Sequence, residues 1–385
     1  MMPEIPYYLY AVLGLSAAGI TYGLTIVLIK VMPRLGVMDL PDERKIHREP
    51  VPKLGGLALF AAIAVCLALA CAISPMARHV LLQPRSIAVF AGLCVMLGLG
   101  IYDDLFRASW LTKFVFQMVA AAIVIRQGVI IQKVTNPFGP TIELGRFSIY
   151  WTFIWLIGIT NAVNLSDGLD GLATGIVSIV SGVTFAITLN LMHTRPEQYE
   201  LFVFAAVTSI VLLGSSLAFL RFNFFPARIF LGDTGSLVLG FMIACTAVIS
   251  SQISSTTVAL VVPVIALGLP ILDTVLAILR RTARRRNPFQ ADREHIHHKI
   301  MQSGISHPET VLILYGFCIL LGVAALVLAF KKNQYAGVVL FVLLLVTLFG
   351  FRKFGILDVT RLWGIGKKSP RERQKGGTPR QEPRK

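Results

Sequence analysis

The amino-acid sequence predicts an all-α membrane protein, a polytopic bundle of about eleven transmembrane helices in a single domain. The chain of 385 residues is 55% hydrophobic and only 15% charged, whereas about a quarter of the residues of a soluble domain are charged. Its charges occur in short blocks, and apolar runs of 16–25 residues lie between them. Runs of this length cross roughly 30 Å of hydrocarbon as α-helices.

The apolar runs give the order of the helices. The N-terminal segment MMPEIPYY lacks a basic region and a small-residue cleavage site, so we do not expect a signal peptide. We assign residues 1–351 to the transmembrane domain, 352–365 to an interfacial segment, and 366–385 to a disordered basic tail. The predicted spans are residues 9–29, 56–74, 86–102, 113–131, 147–162, 168–192, 200–219, 235–250, 257–279, 311–330 and 335–351.

The distribution of Lys and Arg predicts the orientation of the bundle. An odd number of spans puts the two termini on opposite sides of the membrane. Loops on the side of the C-terminus hold 28 of the 36 basic residues, and loops on the other side hold seven. By the positive-inside rule, the N-terminus lies outside and the C-terminus lies in the cytoplasm. The same rule explains most of the net charge of +16, so we do not expect a nucleic-acid partner.

Five polar clusters fall in loops that this topology puts on the cytoplasmic side, and the outer loops contain no Asp. A single site built from several loops requires such a convergence on one face. The clusters are PDERKIHREPVPKLGG (41–56), YDDL (102–105), NAVNLSDGLDG (161–171), RFNFFPARIFLGDTGS (221–236) and RRTARRRNPFQADREHIHHK (280–299).

Three carboxylates of these clusters suit a metal ion or a proton acceptor. Asp103 and Asp104 are adjacent like charges, so either a cation or a bound proton is expected there. A solvated helix end is the alternative for this pair. Asp233 stands in GDTG, whose glycines let backbone N–H groups approach an anion while the carboxylate holds a cation.

The cluster at 161–171 combines amides with carboxylates. Asp167 and Asp170 are three residues apart at the predicted start of a helix, so we expect them to share a face. Asn161 and Asn164 precede them with the same spacing. Capping of the helix N-terminus is the alternative reading.

Three histidines lie near the end of the polar cluster at 280–299. His295, His297 and His298 form an HxHH pattern with no Cys nearby, so phosphate contact or proton transfer is favoured over zinc. Oxygen ligands without Cys favour magnesium, with manganese as an alternative. Asp273 lies about two turns inside the ninth predicted span, where a charge is costly, so it should have a partner or a cavity.

The five clusters together resemble the cytoplasmic motifs of the polyprenyl-phosphate N-acetylhexosamine-1-phosphate transferases. The matching motifs are PDERKIHREPVPKLGG, YDDL, NAVNLSDGLDGLATG, FLGDTGS and DREHIHHK, and the resemblance covers roughly residues 10–350. It implies a magnesium-dependent enzyme that moves a sugar-1-phosphate from a UDP-sugar to undecaprenyl phosphate and releases UMP. The first and last motifs resemble the branch that uses UDP-N-acetylglucosamine. The branch that takes UDP-MurNAc-pentapeptide, with three consecutive histidines, is the alternative.

The resemblance also implies roles for the site residues. Asp233 is expected to hold magnesium, and Asp103 or Asp104 to assist it or to deprotonate the lipid phosphate. His297 is expected to act near the donor diphosphate. The residues expected to bind the nucleotide or the rest of the substrate are Lys45, His47, Lys113, Asn161, Asn164, Asp167, Asp170, Phe230, Arg293, His295 and His298.

The resemblance further implies a place in the bacterial plasma membrane, with the active site facing the cytoplasm and a product that starts a cell-envelope glycopolymer such as an O-antigen or a teichoic acid. The expected partners are the UDP-sugar, undecaprenyl phosphate, the surrounding lipids and, as one option, a second copy of the chain in a homodimer. A transporter or lipid flippase is the alternative from another class, but it would place ionisable groups near the membrane midplane.

Overall fold

Helices make up almost all of the regular structure in the described part of the chain. This computed structural model describes residues 4–41, 49–134, 142–253, 268, 270–275 and 296–330. Residues 270–275 are helical. The other helices are α1 (Tyr7–Val31), α2 (Gly56–Ile73), α3 (Pro75–Leu81), α4 (Pro84–Phe106), α5 (Trp110–Arg126), α6 (Ser148–Ser166), α7 (Leu172–Thr194), α8 (Tyr199–Asn223), α9 (Gly232–Ile253), α10 (Ile296–Gln302) and α11 (His307–Phe330). The all-α prediction is confirmed.

Eight helices in the described residues are long and apolar enough to cross a membrane: α1, α2, α4, α6, α7, α8, α9 and α11. The fourth predicted span corresponds to α5, which has 17 residues. The ninth predicted span lies largely outside the described residues. The eleventh span, the interfacial segment and the basic tail lie outside them entirely, so the count of eleven and the sides of the termini stay predictions.

Helix α9 lies at the centre of the bundle. In α9, 89% of the residues of its apolar stretch are buried, against 28% in α1. It packs against α2, α4, α6 and α8. Polar contacts accompany this packing, because the hydroxyls of Thr208 in α8 and Thr246 in α9 lie 3.2 Å apart. In addition, Trp155 Nε1 in α6 donates to the carbonyl of Ala244 at 3.1 Å.

The outer surface of the bundle is apolar. Large hydrophobic side chains point away from the core, for example Leu15 with 74% exposure and Ile154 with 62%. Such a surface is unfavourable in water but suits contact with lipid chains, and helices satisfy their backbone polar groups internally. The prediction of a multi-pass membrane protein is confirmed at this level.

Several helix boundaries differ from the predicted spans. Helix α4 continues through the Asp pair to Phe106, and α9 begins at Gly232, ahead of Asp233. Hydropathy falls at the membrane boundary before the helical hydrogen bonding ends, so the sequence placed these residues in loops. The expectation that Asp167 and Asp170 share a helix face is wrong, because α7 begins only at Leu172. Both residues lie in the preceding turn.

Two short antiparallel strand pairs were not predicted. Strand β1 (Met38–Asp39) pairs with β2 (Val51–Pro52), and β3 (Lys133–Val134) pairs with β4 (Ile142–Glu143). The first pair is tied to the segment before α9, since the Phe230 N–H donates to the Pro52 carbonyl at 2.9 Å. The Gly55 N–H donates back to the Phe230 carbonyl at 3.1 Å. These bonds place the first loop beside the start of α9.

Candidate active site

Four of the five predicted clusters meet, wholly or in part, at one end of the bundle. The ends of α4 and α6 and the starts of α5 and α9 lie there, with the first loop alongside. A cavity of about 1270 Å³ lies at this end, larger than the 300–1,000 Å³ typical of small-molecule sites. The predicted site residues that line it are Asp104, Lys113, Asn164, Asp167, Asp170, Phe230 and Asp233.

Asp233 is held by side chains from two other helices. Lys113 Nζ in α5 lies 3.2 Å from Asp233 Oδ2. Asn164 Nδ2 in α6 donates to Asp233 Oδ1 and also to Ser236 Oγ, the latter at 2.9 Å. The carboxylate therefore has a fixed orientation at the cavity wall, with a cation on one oxygen and an amide on the other.

Asp103 lies behind this group and is only 6% exposed. Its Oδ1 accepts the Ala108 N–H at 2.6 Å, which fixes the turn between α4 and α5. Its Oδ2 forms an ion pair with Lys113. The ammonium of Lys113 therefore joins Asp103 to Asp233. The sequence suggested a cation at the adjacent Asp pair, but the structure places Lys113 between one member of that pair and the carboxylate of α9.

Asp104 points towards α9 and caps its first turn. Its Oδ1 accepts the Asp233 N–H at 3.0 Å, and its Oδ2 accepts the N–H and the hydroxyl of Thr234 at 3.0 and 2.6 Å. A carboxylate at a helix N-terminus satisfies free N–H groups and interacts favourably with the helix dipole. Gly232 permits this approach, because it has φ +70° and a Cβ there would lie 2.5 Å from Asp104 Oδ2.

The turn before α7 brings two further carboxylates to the cavity. Asp170 Oδ2 accepts the Ala227 N–H at 3.0 Å, which links this turn to the segment between α8 and α9. Burial raises the pKa of Asp167 well above its usual range, and the negative charges of Asp233, Asp104 and Asp170 add to this, while a hydrogen bond from the Gly232 N–H opposes it.

Asn161 lies one turn before Asn164 but does not line the cavity. Its Nδ2 donates to Gln117 Oε1 at 2.7 Å, and Gln117 Nε2 donates back to Asn161 Oδ1 at 3.2 Å. This amide pair joins α5 to α6 one helical turn away from Lys113 and Asn164. Its observed role is therefore to hold together the two helices that carry those side chains.

Several predicted residues are not placed. Lys45, His47, Arg293 and His295 lie outside the described residues, and only the backbone of His297 and His298 in α10 is described. The start of α10 is nevertheless anchored, since Asp273 Oδ1 accepts the Ile296 N–H at 3.0 Å. Asp273 thus has the partner that its sequence position requires.

Sequence reasoning missed four residues around the site. Thr234 and Ser236 stand inside the GDTGS motif but were not singled out, although hydroxyl groups beside a helix start are common caps. Gln117 had a usable signal, because it is a polar residue in an apolar run, one helical turn after Lys113. His307 lines the cavity and accepts the Asp170 N–H at 3.1 Å. It belongs to none of the five clusters.

Comparisons with known proteins identify relatives over most of the chain. Residues 86–251 match the family described as glycosyl transferase family 4. A Bacillus subtilis (strain 168) protein named probable undecaprenyl-phosphate N-acetylglucosaminyl 1-phosphate transferase is 34% identical over 323 residues, which are 84% of this chain and 86% of that protein. Decaprenyl-phosphate N-acetylglucosaminephosphotransferase of Mycobacterium tuberculosis (strain ATCC 25618 / H37Rv) is 36% identical over 81% of this chain and 80% of its own. The undecaprenyl-phosphate alpha-N-acetylglucosaminyl 1-phosphate transferase of Yersinia pestis is 28% identical over 74% and 75%.

Proposed function

This chain belongs to glycosyl transferase family 4, and we propose that it transfers N-acetylglucosamine-1-phosphate from UDP-N-acetylglucosamine to undecaprenyl phosphate, releasing UMP. The membership confirms the resemblance drawn from the loop motifs. One observation carries the proposal: Asp233, Lys113, Asn164 and Asp103 form one connected polar group at the wall of a large cavity, at an end shared by the membrane helices.

The proposed reaction is a phosphoryl substitution. An oxygen of the lipid phosphate forms a bond to the sugar-bearing phosphorus of the donor, and the bond from that phosphorus to the bridging oxygen of UMP breaks. The products are UMP and a polyprenyl diphosphate sugar. Catalysis of such a transfer depends on positioning and on neutralising the phosphate charge. Lys113 provides a fixed cation for this purpose, since two carboxylates hold its ammonium in place.

The carboxylates fit a magnesium ion. In the described residues, no group of three or more His, Cys, Asp or Glu side chains is arranged to hold a metal. Magnesium, however, is commonly held by one or two carboxylates together with substrate phosphates. Asp233, with Asp103 beside it, offers the oxygen ligands that this requires, and manganese accepts the same ligands. When bound, the ion would neutralise charge on the donor diphosphate.

In this proposal Asp104 positions the start of α9 and does not bind the metal ion. Both of its oxygens accept hydrogen bonds from the first turn of α9. The sequence left open which member of the Asp pair assists the metal ion or takes the proton. Asp103 is better placed to receive a proton or to share a cation, because its Oδ2 faces Lys113 and, through it, Asp233.

A further part of the cavity wall is proposed to receive the nucleotide. Asp167, Asp170 and Phe230 line it, and carboxylates and an aromatic ring are suitable contacts for the donors and the face of a uracil base. Lys45, His47 and Arg293, together with the histidines of the HxHH pattern, are proposed to hold the donor phosphates and sugar, with His297 closest to the reaction.

The proposed setting is the bacterial plasma membrane, with the site on the cytoplasmic side and lipids around the bundle. The excess of Lys and Arg in the loops that carry the motifs supports this orientation. The start of an envelope glycopolymer and the formation of a homodimer are parts of the same proposal. A cysteine introduced at position 107, the exposed residue that follows α4, should react with a membrane-impermeant reagent only from the cytoplasmic side, and labelling from outside would overturn the orientation.

The reaction is tested with purified protein in detergent, undecaprenyl phosphate, magnesium and a panel of UDP-sugars. UDP-N-acetylglucosamine should release UMP fastest. Release only from UDP-MurNAc-pentapeptide would instead favour the peptidoglycan branch, and no release from any UDP-sugar would refute the proposal. Asp233→Asn should abolish release and remain folded. The matched control is Glu200→Gln, an isosteric change of the carboxylate that pairs with His79 at the opposite end of the bundle.

A further inference from the structure

A histidine outside the predicted clusters connects α11 to the cavity. His307 is the first residue of α11, and its start is fixed by Ser306, whose N–H and hydroxyl both donate to Glu309 Oε2 at 3.0 and 2.7 Å. A Glu at the third helical position that accepts the N–H of the residue before the helix is a capping contact, and it defines where the helix begins. His307 is therefore held at a defined position relative to the bundle.

The ring of His307 makes two contacts with segments that line the cavity. Its Nε2 accepts the backbone N–H of Asp170 at 3.1 Å. Its ring centroid lies 4.6 Å from that of Phe225. Since Nε2 accepts a hydrogen bond, the proton of the neutral ring is on Nδ1. The ring thus touches both the turn before α7 and the segment between α8 and α9.

The two segments are also bonded to each other. Asp170 Oδ2 accepts the Ala227 N–H at 3.0 Å. Asp170, Phe225, Ala227 and His307 all line the cavity. Each of these three parts of the chain therefore contacts the other two at the cavity wall, and α11 contributes His307 to these contacts.

A second residue of α11 holds the same turn. The hydroxyl of Tyr315, about two helical turns after His307, donates to the carbonyl of Gly171 at 2.5 Å. The ring of Tyr315 packs against α7 where Gly175 has no side chain, and a Cβ at Gly175 would overlap that ring. His307 binds the turn through a backbone N–H and Tyr315 through a backbone carbonyl, so α11 fixes it at two points.

We propose that His307 is a positioning residue for the donor nucleotide, which acts by holding Asp170 and Phe225 in the cavity wall. This rests on the proposed function for the identity of the donor, a UDP-sugar. We place the lipid phosphate beside Asp103, Lys113 and Asp233, and this group is held by contacts among α4, α5, α6 and α9 rather than by α11. Loss of His307 should therefore weaken binding of the donor and leave binding of the acceptor unchanged.

The kinetic test uses two substitutions at one position. His307→Phe keeps a ring against Phe225 but has no acceptor for the Asp170 N–H. His307→Gln supplies an acceptor oxygen at a similar reach. We expect KM for UDP-N-acetylglucosamine to rise about tenfold in His307→Phe, the effect of losing one well-formed hydrogen bond. KM for undecaprenyl phosphate should stay within about twofold, and His307→Gln should restore most of the donor affinity.

Tyrosine variants provide a matched control. Tyr315→Phe removes the hydroxyl that binds Gly171 and should also raise the donor KM. Tyr199→Phe removes a hydroxyl that accepts the Ile5 N–H at 2.9 Å at the far end of the bundle, and it should leave both KM values unchanged. An unchanged donor KM in His307→Phe, an equal rise of both KM values, or no restoration by Gln would each overturn the proposal.

A readout without turnover separates this inference from the proposed function. Amide hydrogen exchange over residues 167–172 should be faster in His307→Phe than in wild type and unchanged in Tyr199→Phe. If wild type releases no UMP from any UDP-sugar, the proposed function fails, and the exchange still decides whether His307 holds this turn. Unaltered exchange over 167–172 in His307→Phe would refute the positioning role even in an active enzyme.

Discussion

Asp104 binds Thr234 through both the backbone N–H and the side-chain hydroxyl, at 3.0 and 2.6 Å, and thereby joins the last turn of α4 to the first turn of α9. Thr234 is fully buried. The neighbouring Asp233 is oriented by the same carboxylate through its own N–H. The position of the proposed metal ligand on α9 is therefore set by a residue on a different helix.

Replacing Asp104 by Asn should lower stability and activity together. Asn offers one acceptor oxygen, and its NH₂ group would face N–H donors of α9, so at least one buried donor loses its partner at a cost of about 1–3 kcal/mol. Thr234→Val, the matched change, removes only the hydroxyl and should cost about 1 kcal/mol. Thermal unfolding in detergent and UMP release measure both effects. Full stability with no turnover in Asp104→Asn would instead indicate a direct metal or proton role.

Replacing Lys113 by Met should impair the reaction and increase the response to magnesium. The change leaves Asp103 and Asp233 close together without the ammonium that joins them. We expect turnover to fall about 100-fold or more, as with the loss of other charge-stabilising groups. Added magnesium should raise the unfolding midpoint of the variant more than that of wild type, because the ion would relieve the repulsion. An equal response to magnesium in both proteins would contradict this account.

Adding a methyl group at Gly100 should be destabilising, whereas the same change at Gly98 should not. A Cβ at Gly100 would lie 2.6 Å from Thr234 N and 2.7 Å from the Asp233 carbonyl oxygen, so backbone would have to move. Overpacking of this kind typically costs about 1–3 kcal/mol. Around Gly98, two residues away in α4, a Cβ would meet nothing within 4 Å. Unfolding midpoints of the two Ala variants compare the sites, and equal midpoints would argue against close α4–α9 contact.

Replacing Asp167 by Asn should stabilise the protein at neutral pH while reducing activity. Burial and neighbouring carboxylates hold the pKa of Asp167 above its unfolded value, so the folded state binds this proton more tightly than the unfolded chain. The stability that comes from this tighter proton binding is present at low pH and is lost as pH rises above about 4. The Asn variant has no such loss. Its unfolding midpoint relative to wild type should increase between pH 4.5 and 7.5, and a decrease would show that the shift has the opposite sign.

The sequence predicted the membrane bundle and the convergence of the motifs for clear physical reasons. Apolar runs are needed to cross hydrocarbon, and polar groups such as Asp233 and Asn164 can gather only where those runs end. The family followed from the order of the motifs. The structure adds that the described clusters make direct contact, for example through Lys113, which is 120 residues from its partner Asp233 in α9.

The division of roles within the Asp pair could not be predicted. Neighbours on a helix point about 100° apart, so Asp103 faces Lys113 while Asp104 faces Thr234. Which direction meets which partner depends on how α4 packs against α9. The turn before α7 was missed for a related reason, since the predicted span begins at residue 168, whereas α7 begins at Leu172, directly after Gly171 with φ +81°.

The buried position of α9 has a consequence for altering this protein by design. The helix that carries Asp233 contacts so many neighbours that exchanging it for the corresponding helix of a relative would disturb several interfaces at once. The strand pair β1–β2 and the turn before α7 are short, and both line the cavity. Chimaeras that alter donor binding should therefore be made by grafting these two short segments, while α9 is left unchanged.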